Sequence, residues 1–163
     1  MLDATTLRTL LDYEPESGKF TWRVNRGRMA KAGAPAGCVQ GVGYVQVTLC
    51  GRYYYAHRLA WLYVHGDWPP EQIDHINGDR TDNRISNIRL ATRQQNSGNT
   101  KRSANNTSGI KGVCWNRNAG KWQANVKVDG RKRHLGLFTT KAEAAAAYHA
   151  AAAAHFGEFV KTG

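Results

Sequence analysis

Asp74-His75-Ile76-Asn77-Gly78-Asp79, followed by Asn87 and then Asn96, sets one imidazole beside a carboxylate with two carboxamides downstream. An imidazole with an ordinary pKa near ~6.5 can take a proton from water at neutral pH. Oxygen donors from Asp and Asn suit a hard cation such as Mg²⁺, with Mn²⁺ as the alternative. A base beside a hard cation is the equipment of metal-assisted phosphodiester hydrolysis, so these residues read as a nuclease site.

The spacing asks for a strand, a loop, a second strand and a helix. Gln72-Ile73-Asp74 is short and extended in character, and Asn77-Gly78-Asp79 with Thr81-Asp82-Asn83 has loop chemistry. Ile85, Ile88 and Leu90 bring the chain back, and Thr92 with Gln95 forms a capping box that opens a helix. Asn96 then falls on the first turn of that helix, from which its amide oxygen and the Asp74 carboxylate are expected to hold a metal between them.

Residues 57 to 96, from the segment Ala56-His57-Arg58-Leu59-Ala60-Trp61 through Asp74-His75-Ile76-Asn77-Gly78-Asp79 to Gln95-Asn96, resemble an HNH homing endonuclease of the phage and intron type. The resemblance implies a ββα-metal fold with a core at about 57–98. It implies that His75 is the base, that Asn87 orients that histidine through its carbonyl oxygen, and that Asp74 and Asn96 are the ligands of one divalent ion. Many of these enzymes end the motif on His; Asn96 stands there instead, which favours an oxygen-liganded Mg²⁺ or Mn²⁺ over zinc. The resemblance also implies 5′-phosphate and 3′-hydroxyl products. Arg58 is a candidate to grip the phosphate, because a guanidinium engages two oxygens at once. His57, His65, His134, His149 and His155 are read as structural or solvated with respect to cleavage, and Asp79, Asp82 and Asn83 as loop-shaping groups in Asx turns.

Composition changes over residues 97–108, where Ala104 is the lone apolar residue among small and polar ones. Such a stretch cannot bury surface and reads as a linker, whose Lys101 and Arg102 are placed to press on a phosphate backbone. Beyond it, Ile110 to Asn116, Lys121 to Val128 and Arg131 to Phe138 are predicted strands, with Asp129-Gly130 as a tight turn. Thr140 and Glu143 form a second capping box, and the helix Lys141 to His155 is rich enough in alanine to lie close on a sheet. Trp122, on the face of Ala124, Val126 and Val128, is assigned to the core.

This module, with Gly112-Val113, Gly120-Lys121-Trp122, Leu135-Gly136, Phe138 and Tyr148, resembles the Apetala2-type DNA-binding domain over about residues 108 to 160. The resemblance implies that the sheet enters the major groove. Lys111, Lys121, Lys127 and Lys132 match exposed basic positions, and His134 stands where that family usually has Trp. Arg117 and Asn116, in the first turn of the module, are also placed to contact DNA. Lysine reproduces bidentate guanine contacts poorly, so the base preference of that family does not carry over.

Charge supports a nucleic-acid partner: the net +11 divides into +8 from Ser97 onward and +3 before it. No apolar run approaches the ~20 residues of a membrane span. Three widely separated cysteines indicate neither a disulfide framework nor a zinc cluster. The first residues lack a signal peptide, so a cytoplasmic setting is expected, that of a bacterial host if the chain is phage-encoded. Leu7, Leu10 and Leu11 predict a helix, and Tyr44 to Leu49 and Arg52 to His57 a hairpin across Cys50-Gly51, ahead of a helix around Leu59 to Val64. Arg23, Arg26, Arg28 and Lys31 lie in a Gly-rich loop.

The resulting expectation is an α+β chain. Residues 1–96 form an HNH nuclease domain with an N-terminal β-rich support, 97–108 a linker, and 109–163 a small three-stranded antiparallel sheet with one helix. The function expected is a single-metal, histidine-activated endonuclease acting on double-stranded DNA, of homing type, with no obligate protein partner evident. The alternative is a non-catalytic, sequence-specific DNA-binding regulator with a degenerate site.

Overall fold

The computed structural model describes residues 2–27, 30–99 and 105–159. The chain is a mixed α/β structure of several small sheets and, among the described residues, four α-helices. It divides into two compact units, Met1–Ala91 and Thr92–Gly163.

In the first unit, helix α1 (Ala4–Leu10) starts where Asp3 accepts the Thr6 amide at 2.7 Å. Strands β1 (Leu11–Glu14) and β2 (Lys19–Trp22) form an antiparallel hairpin. A three-stranded sheet follows in the order β3 (Cys38–Val39), β4 (Val45–Leu49), β5 (Arg52–Tyr55). The β4–β5 turn uses Cys50 and Gly51, both at positive φ (51° and 74°), the geometry a two-residue hairpin loop requires. Helix α2 (Ala56–His65) ends at Gly66, which is left-handed. Leu7, Leu11, Val47, Leu49, Leu59 and Leu62 lie in one core with Tyr13, Phe20 and Trp22. Against this core sits the hairpin of β6 (Gln72–His75) and β7 (Ile88–Ala91), anchored by Ile73 and Ile88.

The second unit begins with α3 (Arg93–Gly98), whose expected capping box is present: Thr92 Oγ1 accepts the Gln95 amide and Gln95 Oε1 accepts the Thr92 amide. This helix packs on α4 (Lys141–Phe156), so closely that a methyl on Gly98 would come within 2.8 Å of the Phe156 ring. Strands β8 (Val113–Asn116), β9 (Lys121–Val128) and β10 (Arg131–Phe138) form an antiparallel sheet with β9 in the middle. Ala144, Tyr148, Ala152 and Phe156, four residues apart, make the buried stripe of α4 against Ala124, Val126 and Val128. The first strand starts at Val113 and not at Ile110, because Gly112 takes φ +75 and turns the chain. The described end of the expected linker is hydrogen-bonded: buried Ser108 donates to the Val113 carbonyl at 2.7 Å, and Asn106 donates to Ile110 at 2.8 Å. Short polar side chains here satisfy turn backbone, which composition reads as disorder.

Candidate active site

Asp74 and His75, the two residues expected to carry the chemistry, are adjacent at the end of β6. The β6–β7 register sets Asp74 opposite Arg89 and His75 opposite Ile88. Strand periodicity points the two neighbouring side chains to opposite faces, yet both are buried, each only 4% exposed. Asp74 Oδ2 accepts a charge-assisted bond from Arg89 Nε at 3.1 Å, which offsets the cost of burying the carboxylate.

The His75 ring sits edge-on to His57 at 5.0 Å between centroids and lies 5.9 Å from Tyr44. Its Nε2 is 3.3 Å from Asn83 Oδ1. An amide oxygen only accepts, so Nε2 carries the proton in this pair and Nδ1 is the basic nitrogen. Burial pushes the His75 pKa down, and the Asn83 hydrogen bond and nearby carboxylates oppose it. The ring is therefore neutral at pH 7, the state a general base needs.

Asn83, read from sequence as a loop-shaping residue, also touches the His75 ring and is 2% exposed. Its carbonyl accepts the Tyr13 hydroxyl at 2.7 Å, and its own amide donates to Thr81 at 3.0 Å. Burial holds the Tyr13 phenol protonated, with a pKa pushed up to about 12. The β1–β2 turn closes over the same backbone: Gly18, at φ +68, leaves no room for a methyl, which would meet Arg84 N at 2.4 Å and Asn83 C at 2.5 Å. No spacing signal marks Asn83 as the partner of His75; its backbone is held at the ring by Tyr13, 70 residues away in sequence.

Asn87 acts on the loop. Its Oδ1 accepts the Asn77 amide at 3.0 Å, and its Nδ2 donates to Asn77 Oδ1 at 3.1 Å and to the Asp82 carbonyl at 2.8 Å. These bonds tie both ends of the 77–82 loop to the residue before β7, and it is Asn83, not Asn87 as expected, whose amide oxygen meets the His75 ring. The expected Asx turns are present: Asp79 accepts from the Thr81 amide at 2.9 Å and hydroxyl at 2.8 Å. Asp82, with a pKa lowered to about 2 chiefly by Arg84, takes both guanidinium bonds of that residue.

Arg58 is placed differently from its expected role as a phosphate grip. Its guanidinium makes long, 3.4 Å bonds to the carbonyls of Glu71 and Pro69 and lies 5.9 Å over the Trp68 ring. It braces the segment leading into β6. Arg80 is the cation beside the cluster: it stands 4.8 Å over Tyr44, whose ring packs on His75 and, at 5.1 Å, on His57. One Arg80 nitrogen donates to the Val42 carbonyl at 2.7 Å.

His57 is buried among Tyr44, Tyr55 and His75, and its Nδ1 has no hydrogen-bond partner among the described residues. Desolvation, reinforced by His75 and Arg58, drops its pKa to about 3. The unfolded chain therefore binds a proton at this residue near pH ~6.5 that the folded chain refuses until about pH 3. Stability from this source is complete above ~6.5 and drains as pH falls below it, by about 2 kcal/mol at pH 5. Thermal melts of His57→Phe should accordingly lose less stability between pH 7 and pH 5 than wild type; parallel pH profiles would refute this origin.

Asn96 lies on α3 in the second unit. Among the described residues no cluster of three or more His, Cys, Asp or Glu is arranged for a metal ion. One buried carboxylate, Asp74, next to an imidazole expected to act as base, fits a hydrated hard ion, which keeps much of its water shell and needs few protein oxygens. It does not fit a tetrahedral zinc site.

Of the residues expected to contact DNA, Arg117, Lys121, Lys127, Lys132 and His134 are exposed. Lys111 is half-buried, and its ammonium donates to the Gly98 carbonyl at 2.7 Å, capping α3. Burial lowers its pKa. Lys101 and Arg102, like Arg28, lie outside the described residues.

Residues 54–97 match a family model described as HNH endonuclease. Protein 3.8 of Escherichia phage T7 is 34% identical over 80 residues, covering 48% of this chain and 66% of that protein. An uncharacterised HNH endonuclease of Acanthamoeba polyphaga mimivirus is 31% identical over 151 residues, covering 91% of this chain and 70% of that protein. The chain thus spans about two thirds of the length of each curated relative. No solved structure matches. None of these comparisons supports the Apetala2-type resemblance of the C-terminal segment.

Proposed function

This chain belongs to the HNH endonuclease family, and we propose that it is a metal-dependent DNA endonuclease in which His75 is the general base. Family membership implies a nuclease. The observation that carries the catalytic reading is the buried Asp74–His75 pair on β6, with a neutral His75 ring held by Asn83 and a loop pinned by Asn87.

His75 Nδ1 takes the proton of a water aligned on the scissile phosphorus. Asn83 keeps the opposite nitrogen protonated, which leaves Nδ1 as the basic nitrogen. Tyr44 and His57 wall the ring and limit its rotation. Arg80, standing on Tyr44, has guanidinium hydrogens to spare for a phosphate oxygen and takes the role first expected of Arg58. A divalent ion, Mg²⁺ or Mn²⁺, held by Asp74 and Asn96 would supply Lewis-acid stabilisation of charge on the phosphoryl and leaving oxygens. The family match runs to residue 97, across the boundary between the compact units, which supports counting α3 and Asn96 with the nuclease function. Arg89 holds the Asp74 carboxylate in place through its 3.1 Å bond.

In the proposal, the nuclease function resides in residues 1–96 as a ββα-metal arrangement. Residues 97–108 connect it to a DNA-positioning module at 109–163. What supports the latter is the basic three-stranded sheet backed by an alanine-rich helix and the excess charge of that segment. Site-directed cleavage of homing type, in the cytoplasm of a phage-infected host, is the biological setting proposed. Among the described residues no helix is long and apolar enough to cross a membrane.

Supercoiled plasmid should relax to open circles with Mg²⁺ or Mn²⁺ and remain supercoiled in EDTA, since one such site attacks one strand at a time. A folded chain that binds a selected high-affinity duplex yet leaves it uncut with either metal would replace the endonuclease by the DNA-binding regulator.

A further inference from the structure

The outer face of the β8–β10 sheet carries a row of polar side chains whose hydrogen-bond directions are all determined. The starting point is unambiguous: the Ala119 backbone N–H donates to Asn116 Oδ1 at 3.1 Å. The Asn116 amide nitrogen must then face the other way, and it donates to Gln123 Oε1 at 3.1 Å. That turns the Gln123 amide nitrogen toward its two remaining neighbours, Asn125 Oδ1 and His134 Nδ1, each at 3.2 Å. Gln123 therefore spends both of its hydrogens inside the row. His134, accepting at Nδ1, carries its proton on Nε2.

Strand register produces this alignment. Asn116, Gln123, Asn125 and His134 come from three strands; His134 pairs with Asn125, and the bulge after His134 lets the next strand residues resume pairing. Asn125 is buried and anchors the row, whereas His134 is exposed and Asn116 and Gln123 are half-exposed. Apart from the amide of buried Asn125, what the row leaves for a ligand is one Asn116 N–H, a second Asn116 Oδ1 lone pair and the His134 Nε2–H. A carboxamide offering one donor and one acceptor in fixed positions complements the N7 and N6 edge of adenine in the major groove. Lys127 and Lys132, exposed and paired across β9 and β10, flank the row with positive charge for the phosphates.

We propose that Asn116, held in orientation by Gln123, reads an adenine in the major groove of double-stranded DNA, with His134 Nε2–H donating beside it. Asn116 is the contacting residue and Gln123 a positioning residue. The inference rests on the reading of residues 109–163 as a DNA-binding module. Asn116 and His134 were already expected to contact DNA; what is added is that the carboxamide supplies the base preference while the lysines supply charge.

The experiment uses the full chain in EDTA. Duplexes are selected from a random pool, and each adenine of the selected site is then replaced by 7-deazaadenine, which lacks the N7 acceptor. The expected result for wild type is one adenine whose replacement weakens binding about tenfold to a hundredfold. In Asn116→Ala and Gln123→Leu that penalty should shrink to less than about twofold, while the dependence of affinity on salt stays as in wild type. The melting temperature of each variant, measured beside wild type, guards against variants that fail to fold. Tight binding with no adenine penalty, or an equal penalty in wild type and Gln123→Leu, overturns the inference and leaves the DNA-binding reading standing. A folded chain with no affinity for any duplex overturns both; metal-dependent plasmid relaxation by the same preparation then shows whether the nuclease reading survives.

Discussion

His75→Ala should lower the rate of DNA cleavage under single turnover by about two to four orders of magnitude, the range spanned by removing a positioned general base. Duplex binding should change little, because the ring is buried on the protein side and contributes no charge at pH 7. Asn83→Ala should cost less in rate, about tenfold to a hundredfold, since water can replace the lost acceptor but not its orientation. It should also lower the melting temperature: the buried loop loses the bonds from Asn83 Oδ1 to His75 and from its amide to Thr81, about 1–3 kcal/mol together. Both variants are compared with wild type by rate, melting temperature and duplex affinity. Cleavage by folded His75→Ala at the wild-type rate would remove this residue from the chemistry.

The largest expected effect on stability lies elsewhere. Gly112→Ala should unfold or strongly loosen the second unit. Gly112 sits at φ +75, where an L side chain costs about 1–2 kcal/mol. The added methyl would also come to 2.3 Å from the Tyr148 ring and 2.5 Å from the Asn125 carbonyl oxygen. Neither neighbour can yield cheaply: Tyr148 is the centre of the α4 stripe, and the Asn125 backbone is bonded to Gly112 at 2.8 Å. Forcing a packed contact of that kind adds about 1–3 kcal/mol. A unit of this size has only about 4–10 kcal/mol of stability in total. Hydrogen exchange should therefore show β8–β10 and α4 losing protection while β6 and β7 keep theirs, together with a fall in duplex affinity. Gly120→Ala is the matched control. Gly120 is also at positive φ (58°), but its methyl meets nothing within 4 Å, so the conformational cost alone applies. Equal losses for the two variants would show that the Tyr148 contact is not what makes Gly112 necessary.

Local features were legible in the residues themselves. Asp74 and His75 are covalent neighbours, so their juxtaposition needs no fold. The capping boxes at Thr92 and Thr140 and the turns at Cys50-Gly51 and Asp129-Gly130 are set by contacts within four residues, and all are present. The alternation along Lys121–Val128 announced the burial of Ala124, Val126 and Val128, because strand periodicity follows from backbone geometry alone, but not that of Asn125 on the other face.

Roles that depend on distant partners were not legible. Asn83 looked like any turn residue until Tyr13, Gly18 and His75 closed around it. Arg58 and Arg80 are equivalent cations on paper; packing sent one to the carbonyls before β6 and the other onto the Tyr44 ring beside His75. Lys111 looked like a free surface charge and instead caps α3. The sequence by itself determined the chemical groups of this protein and their local elements, because those depend on residue type and on neighbours a few positions away. Only the tertiary structure decided which buried oxygen fixes the His75 tautomer, which arginine stands at the site and which side chains line up across three strands, because burial and hydrogen-bond direction belong to contacts between segments far apart in the chain.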